Sequence, residues 1–166
     1  MTAPALRSGI GYDCHRLADG RPLVLGGVTL PASRGLQGHS DADVLTHAII
    51  DALLGAAALE DIGAHWPDTD PANAGVSSLG LLRETVTLLA GRGMTPGNVD
   101  ATVVIERPKL APHRDAIRGS LAEALGLDAA RVGVKATRGE GMGFVGREEG
   151  VAALAVATVV DSAADG

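Results

Sequence analysis

The sequence predicts an α/β protein in the α+β two-layer sense, a mixed β-sheet with helices packed on one face, folded as a single domain over residues 1–166. Three observations carry this. Apolar residues recur at helical spacing over residues 44–56 and again over 79–90. Runs rich in Val and Ile at 99–106, 132–137 and 151–160 have the composition of strands. From residue 93 onward the order is strand, helix, strand, strand, with no repeat, low-complexity tract or linker to divide the chain.

Taken in order, residues 10–15 and 23–30 read as short strands punctuated by Asp19-Gly20 and Gly26-Gly27, and together they suggest a hairpin. Ser40 precedes an apolar stripe of Val44, Leu45, Ala48, Ile49, Ala52, Leu53 and Ala56. With Asp43 three residues on, it forms a capping-box pattern and predicts a helix over 41–59. Residues 60–75 mix prolines and glycines with acidic residues and show no period, which marks a long loop of the kind that carries function. Helices follow at 79–90 and at 113–125, the latter stopped by Gly126, and a Gly-rich turn separates the last two strands. Three helices cover too little sheet for a free-standing unit, so burial of a face or edge against a second copy, and hence an oligomer, is expected.

At 166 residues the chain can bury a proper core without disulfide or metal staples, so a metal here would be functional. One Trp, one Tyr and one Phe leave the core to aliphatic side chains. The net charge of -6 and the lack of clustered Lys and Arg argue against nucleic acid as partner. An anionic substrate must then be held by metals or backbone amides. A single cysteine, Cys14, rules out an internal disulfide framework, and no signal-type segment opens the sequence. The last apolar run, 151–160, is about half a membrane span. A cytoplasmic protein without a membrane partner is the expectation.

Asp13 and His15 stand two apart on a predicted strand, so both leave one face and Cys14 the other. His47 on the following helix is a third candidate, and two nitrogens plus one carboxylate leave a fourth tetrahedral position open, as catalytic zinc requires. Asp51, one helical turn beyond His47, is placed to orient its ring. Consecutive His39-Ser40-Asp41 cannot form a nucleophilic triad, and Ser40 reads as the helix cap. His39 then lies at a helix N-terminus, where free amides favour phosphate. The stretch Gly141-Met142-Gly143-Phe144-Val145-Gly146 matches a dinucleotide fingerprint in letters only, since a strand and not a helix is expected after it. Glu140 at its start is a candidate ligand for Mg²⁺ shared with phosphates.

In order and spacing, Gly11-Tyr12-Asp13-Cys14-His15, Gly38-His39-Ser40-Asp41-Ala42-Asp43, Asp61-Ile62-Gly63, Pro67-Asp68-Thr69-Asp70, Pro108-Lys109-Leu110, Val134-Lys135-Ala136-Thr137 and Gly143-Phe144-Val145-Gly146-Arg147 resemble the 2-C-methyl-D-erythritol 2,4-cyclodiphosphate synthases, over nearly the whole chain. The resemblance implies a phosphorus–oxygen lyase of non-mevalonate isoprenoid biosynthesis. It implies Zn²⁺ on Asp13, His15 and His47, and a second divalent ion, Mg²⁺ or Mn²⁺, at Glu140. His39 and Ser40 match residues near the methylerythritol phosphates, and Asp61, Ile62 and Gly63 match contacts on the ribose side. Trp66, Asp68 and Asp70 match the loop on the sugar-alcohol side. Pro108, Lys109 and Leu110, with Ala136 and Thr137, match the cytidine and phosphate pocket. A homotrimer with interfacial sites is implied as well, with an axial cavity near Tyr12, Phe144, Arg147 and Glu149 able to take an isoprenoid diphosphate.

One departure concerns the catalytic set. Arg138 replaces a threonine of the family pattern. Its guanidinium could neutralise the transferring phosphate in company with His39, or it could face solvent while backbone amides serve. Two rival readings stand beside the cyclase, a zinc phosphodiesterase that uses water and a trimeric module that binds isoprenoid diphosphates.

Overall fold

A computed structural model describes residues 5–162; the first and last four positions of the predicted 1–166 domain lie outside the described residues. The chain opens with β1 (Ala5–Asp19), followed by three short strands, β2 (Leu23–Leu25), β3 (Val28–Leu30) and β4 (Arg34–Leu36). Helix α1 (Val44–Ala56), the one-turn α2 (Ile62–His65) and α3 (Ser78–Ala90) come next. The remainder is β5 (Met94–Val104), α4 (Arg114–Leu125), β6 (Val132–Thr137), the one-turn α5 (Gly143–Gly146) and β7 (Gly150–Asp161). The main sheet has five strands in the order β4-β1-β7-β5-β6. It is mixed as expected: β5 and β6 run parallel across the α4 crossover, and the other pairs are antiparallel.

The predicted hairpin is corrected. β2 and β3 pair with each other around Gly26 and Gly27, both at positive φ, whereas β1 pairs with β4 and β7. The turn glycines thus close a small hairpin within residues 23–30 and do not fold that segment back on β1. The first helix starts later than predicted. Its cap is Asp43, whose carboxylate accepts from Thr46 N, and Ser40 lies outside the helix. Asp43 is buried and also accepts from the amides of Gly26 and Gly27, so its two oxygens join the hairpin turn to the helix start.

Fully buried Leu45, Ile49 and Leu53 of α1, Leu82 and Leu89 of α3, and Ile117 and Leu121 of α4 form the aliphatic core on one face of the sheet. Contact between α1 and β1 is unusually close. A Cβ on Gly11 would lie 1.9 Å from Ala48 O, and one on Gly9 would lie 2.1 Å from Ala52 O. Glycines on the strand and alanines on the helix remove the side chains that would hold the two backbones apart, and His47 is thereby carried over Asp13. On the opposite sheet face Leu6, Ile10, Tyr12, Leu154 and Val156 remain between 40% and 71% exposed. Among the described residues no helix is long and apolar enough to cross a membrane.

Candidate metal centre and substrate cavity

Strand alternation sends Asp13 and His15 toward the helices and leaves Cys14 exposed on the far side, as the spacing predicted. His47 arrives from the first turn of α1. The three ligand atoms are mutually close: Asp13 Oδ2 is 2.9 Å from His15 Nε2 and 3.1 Å from His47 Nδ1, and the two nitrogens are 3.3 Å apart. Donors bound tetrahedrally at about 2.0–2.1 Å from zinc are separated by about 3.3 Å, so this triangle is within a few tenths of an ångström of a zinc face.

The hydrogen-bond partners of the cluster constrain where its protons sit. His15 Nδ1 lies 3.0 Å from the carbonyl of Gln37, which can only accept, so in the neutral ring Nδ1 carries the proton and Nε2 a lone pair. His47 Nε2 meets the hydroxyls of Ser78 at 2.8 Å and Ser40 at 3.2 Å. Asp13 Oδ1 is occupied by Cys14 N, leaving Oδ2 to the histidines. Asp13 Oδ2 and His15 Nε2 thus present electron pairs toward His47 Nδ1, an arrangement that a divalent cation, or protons, can satisfy. Without metal the protons respond accordingly. Burial pushes Asp13 up, but hydrogen bonds to His15 and His47 prevail and hold it at about 2. For His15 burial works against the charged form and the Asp13 carboxylate outweighs it, raising the imidazole above its usual range.

Among the described residues these three form the one group of metal-type side chains in mutual reach, and Glu140 is not in it. Glu140 is exposed, at φ 53, on the turn after β6. Two placements differ from expectation. Asp51 accepts from Ile62 N at 2.8 Å, which ties α2 to α1, and Ser40 and Ser78 are the side chains that hydrogen-bond His47. His39 lies on the segment before α1 and outside its first turn; it is exposed, and its carbonyl accepts from Gly75 N.

The residues 60–75 contain more regular structure than the sequence suggested. Asp61 caps α2 through Ala64 N, and Asp70 caps a 3₁₀ turn at Pro71–Asn73 through Ala72 N. Gly63 and Asp68 are exposed, while Trp66 donates to Glu84. A cavity of about 820 Å³ opens beside the cis peptide Arg107-Pro108. Its lining includes Pro108, Lys109 and Arg138, together with Arg34, Arg107, Glu106 and Glu148, which sequence reasoning missed. Glu148 bridges Arg34 at 3.4 Å and Arg107 at 2.5 Å. Glu106 accepts from Gly139 N at 2.5 Å and fixes the turn beside Arg138. Leu110 is buried and Ala136 and Thr137 are exposed at the end of β6, and none of the three is among the residues that line this cavity. Phe144 and Arg147 lie on and just after α5, with Arg147 paired to Glu149 at 2.9 Å. The rejected dinucleotide reading stays rejected: α5 is one turn long and leads straight into β7.

Comparison with known proteins places these features in a lineage. The chain is 62% identical over 151 residues to the 2-C-methyl-D-erythritol 2,4-cyclodiphosphate synthase of Symbiobacterium thermophilum, covering 91% of this chain and 96% of that one. A solved 2C-methyl-D-erythritol-2,4-cyclodiphosphate synthase in a CDP-bound form superposes with a TM-score of 0.85 at 40% identity, covering 92% of this chain and 99% of that one. The bifunctional IspDF of Campylobacter jejuni superposes at 0.92 with 39% identity, covering 95% of this chain and 43% of that longer one. The family model matches residues 6–160. With the Asp-His-His cluster between β1 and α1 and this match along almost its whole length, the chain belongs to the YgbB family, that of the 2-C-methyl-D-erythritol 2,4-cyclodiphosphate synthases.

Proposed function

We propose that this chain converts 4-diphosphocytidyl-2-C-methyl-D-erythritol 2-phosphate to 2-C-methyl-D-erythritol 2,4-cyclodiphosphate and CMP, acting as a cytoplasmic phosphorus–oxygen lyase in non-mevalonate isoprenoid biosynthesis. The observation that carries the reading is the cluster of ligand-type atoms of Asp13, His15 and His47, set on the fold of this family. When bound, Zn²⁺ there and a second divalent ion toward Glu140 neutralise and orient the substrate phosphates.

The protein's own groups supply position and charge. In the reaction an oxygen of the 2-phosphate bonds to the β-phosphorus, the bond from that phosphorus to the bridging oxygen breaks, and CMP leaves with that oxygen. Both reactants sit in one molecule, so holding it folded is the larger part of catalysis. Pro108 offers an apolar wall for the base, with buried Leu110 two residues on and Ala136 and Thr137 just before Arg138 in the chain, while Lys109 and Arg138 meet the diphosphate. Asp61, Ile62 and Gly63 face the ribose. Ser40 and His39 face the methylerythritol phosphates, and the loop bearing Trp66, Asp68 and Asp70 covers the sugar alcohol and keeps water out.

The bare apolar face of Leu6, Ile10, Tyr12, Leu154 and Val156 supports a homotrimer in which one subunit's metal centre works with a neighbour's cavity. Phe144, Arg147 and Glu149 would then border an axial cavity suited to an isoprenoid diphosphate. Phosphorus NMR with the cytidine substrate tests the reaction. Cyclic diphosphate and CMP in equal amounts are expected from parent protein and neither from His47→Ala; linear phosphomonoester as the product would instead favour a water-using phosphodiesterase.

A further inference from the structure

His47 carries a second set of contacts, on the side of its ring away from Asp13. Ser78, the first residue of α3, is completely buried, and its hydroxyl oxygen lies 2.8 Å from His47 Nε2 across 31 residues of sequence. On its other side the same hydroxyl makes a very short contact with Asp41 Oδ1. Asp41 Oδ2 accepts from Ser78 N at 2.9 Å, so one carboxylate grips both the amide and the hydroxyl of a single serine. Asp41 Oδ1 also accepts from Asp43 N at 3.2 Å, and Asp41 N donates to Val76 O at 3.3 Å. The carboxylate is thereby fixed from both chain segments.

A serine hydroxyl has one proton, and a carboxylate can only accept. The proton of Ser78 therefore belongs to Asp41, and the oxygen presents a lone pair to His47 Nε2. That contact is a hydrogen bond only when Nε2 bears the ring proton. Ser40 Oγ at 3.2 Å is a second oxygen on the same nitrogen and already accepts from Ala42 N. With the proton held at Nε2, the Nδ1 lone pair must face Asp13 and His15. We propose that Asp41 and Ser78 are positioning residues for the metal centre: a carboxylate–hydroxyl–imidazole relay that fixes the tautomer and tilt of His47 and aims its Nδ1 lone pair at the cation. Relays of this type raise ligand basicity and typically contribute about 10–100-fold to metal affinity. The proposal rests on the reading of Asp13, His15 and His47 as metal ligands.

Two measurements test it. Nitrogen-15 NMR of metal-free parent protein, read where the His47 ring carries a single proton, should find that proton at Nε2; a ring protonated at Nδ1 overturns the relay without any variant. Competition for Zn²⁺ with a chromophoric chelator should then show Ser78→Ala weakened about 10–100-fold, Asp41→Asn weakened in the same direction, and Ser78→Thr restored toward parent. Thermal melts of the metal-free variants separate this loss from unfolding. Parent protein that takes up no zinc overturns the metal reading itself. A parent that binds zinc while Ser78→Ala and Asp41→Asn bind within twofold of it overturns the relay alone.

Discussion

Gly11→Ala should damage the metal centre without touching a ligand. Its Cβ would meet Ala48 O at 1.9 Å and Ala52 N at 2.8 Å, both backbone atoms of α1. Real Cβ contacts stay beyond 3.0 Å, so helix and strand must separate by at least 3.0 minus 1.9, or about 1.1 Å. His47 rides on that helix with Nδ1 3.1 Å from Asp13 Oδ2, and the shift would take the pair to about 4 Å, whereas metal sites tolerate about 0.2 Å. Overpacking of this kind costs about 1–3 kcal/mol or more, which in a chain of this length lowers Tm by about 3–10 °C. Zinc affinity should fall by more than about 100-fold, beyond what loss of an outer hydrogen bond does. Gly55→Ala on the same helix is the control. Its Cβ meets nothing nearer than Ile10 O at 3.9 Å, so it should stabilise by about 0.5–1 kcal/mol and leave zinc binding alone. Calorimetry and chelator competition on the pair give the answer. Gly11→Ala with parent Tm and parent zinc affinity would refute the claim that backbone contact between α1 and β1 sets the ligand geometry.

Three further outcomes follow from the same structure. Metal-free protein gains stability from the Asp13–His15 pair chiefly between Asp13's ordinary value of 3.8 and His15's of 6.5, because the lowered Asp13 loses its contribution as pH falls toward 2 and the raised His15 loses its own as pH climbs through its folded value. Zinc must displace that proton, so the rise in Tm on adding zinc should grow from pH 5.5 to 8, and a rise that shrinks with pH would contradict this. Arg138→Ala should lower kcat by about 10² with less change in KM, and Arg138→Lys should recover part of it; turnover within about twofold of parent would remove Arg138 from the reaction. Ile10→Asp, on the bare sheet face, should shift light scattering from trimer toward monomer and abolish activity, while an active monomer would argue against sites shared between subunits.

Local periodicity made the Asp13, His15 and His47 cluster legible. Alternation on β1 puts Asp13 and His15 on one face and Cys14 on the other, and the stripe from Val44 to Ala56 predicts the helix that carries His47. What failed was everything decided by distant partners. Ser40 looks like a cap because Asp43's competing role depends on the amides of Gly26 and Gly27, 17 and 16 residues away. Asp51 is correctly spaced to orient His47, yet Ile62 N claims its carboxylate, and Ser78, which reads locally as a residue at a helix start, takes the position beside the ring. Gly26-Gly27 signals a turn without saying which strand pairs across it, so the pairing of β2 with β3 is not legible locally. Arg34 and Glu148 meet across 114 residues, a contact no local pattern encodes, and Glu148 holds a positive φ of 55 that favours glycine.

The central claim is that the substrate's own phosphate, and not water, is the nucleophile in a site organised by Asp13, His15 and His47. Turnover of 4-diphosphocytidyl-2-C-methyl-D-erythritol 2-phosphate in water enriched in oxygen-18 tests it directly. Cyclic diphosphate and CMP should both lack the heavy isotope, since the bridging oxygen leaves with CMP and no water oxygen enters either product. Oxygen-18 on the phosphorus of either product, or a linear phosphomonoester carrying it, would contradict the account and make the chain a hydrolase.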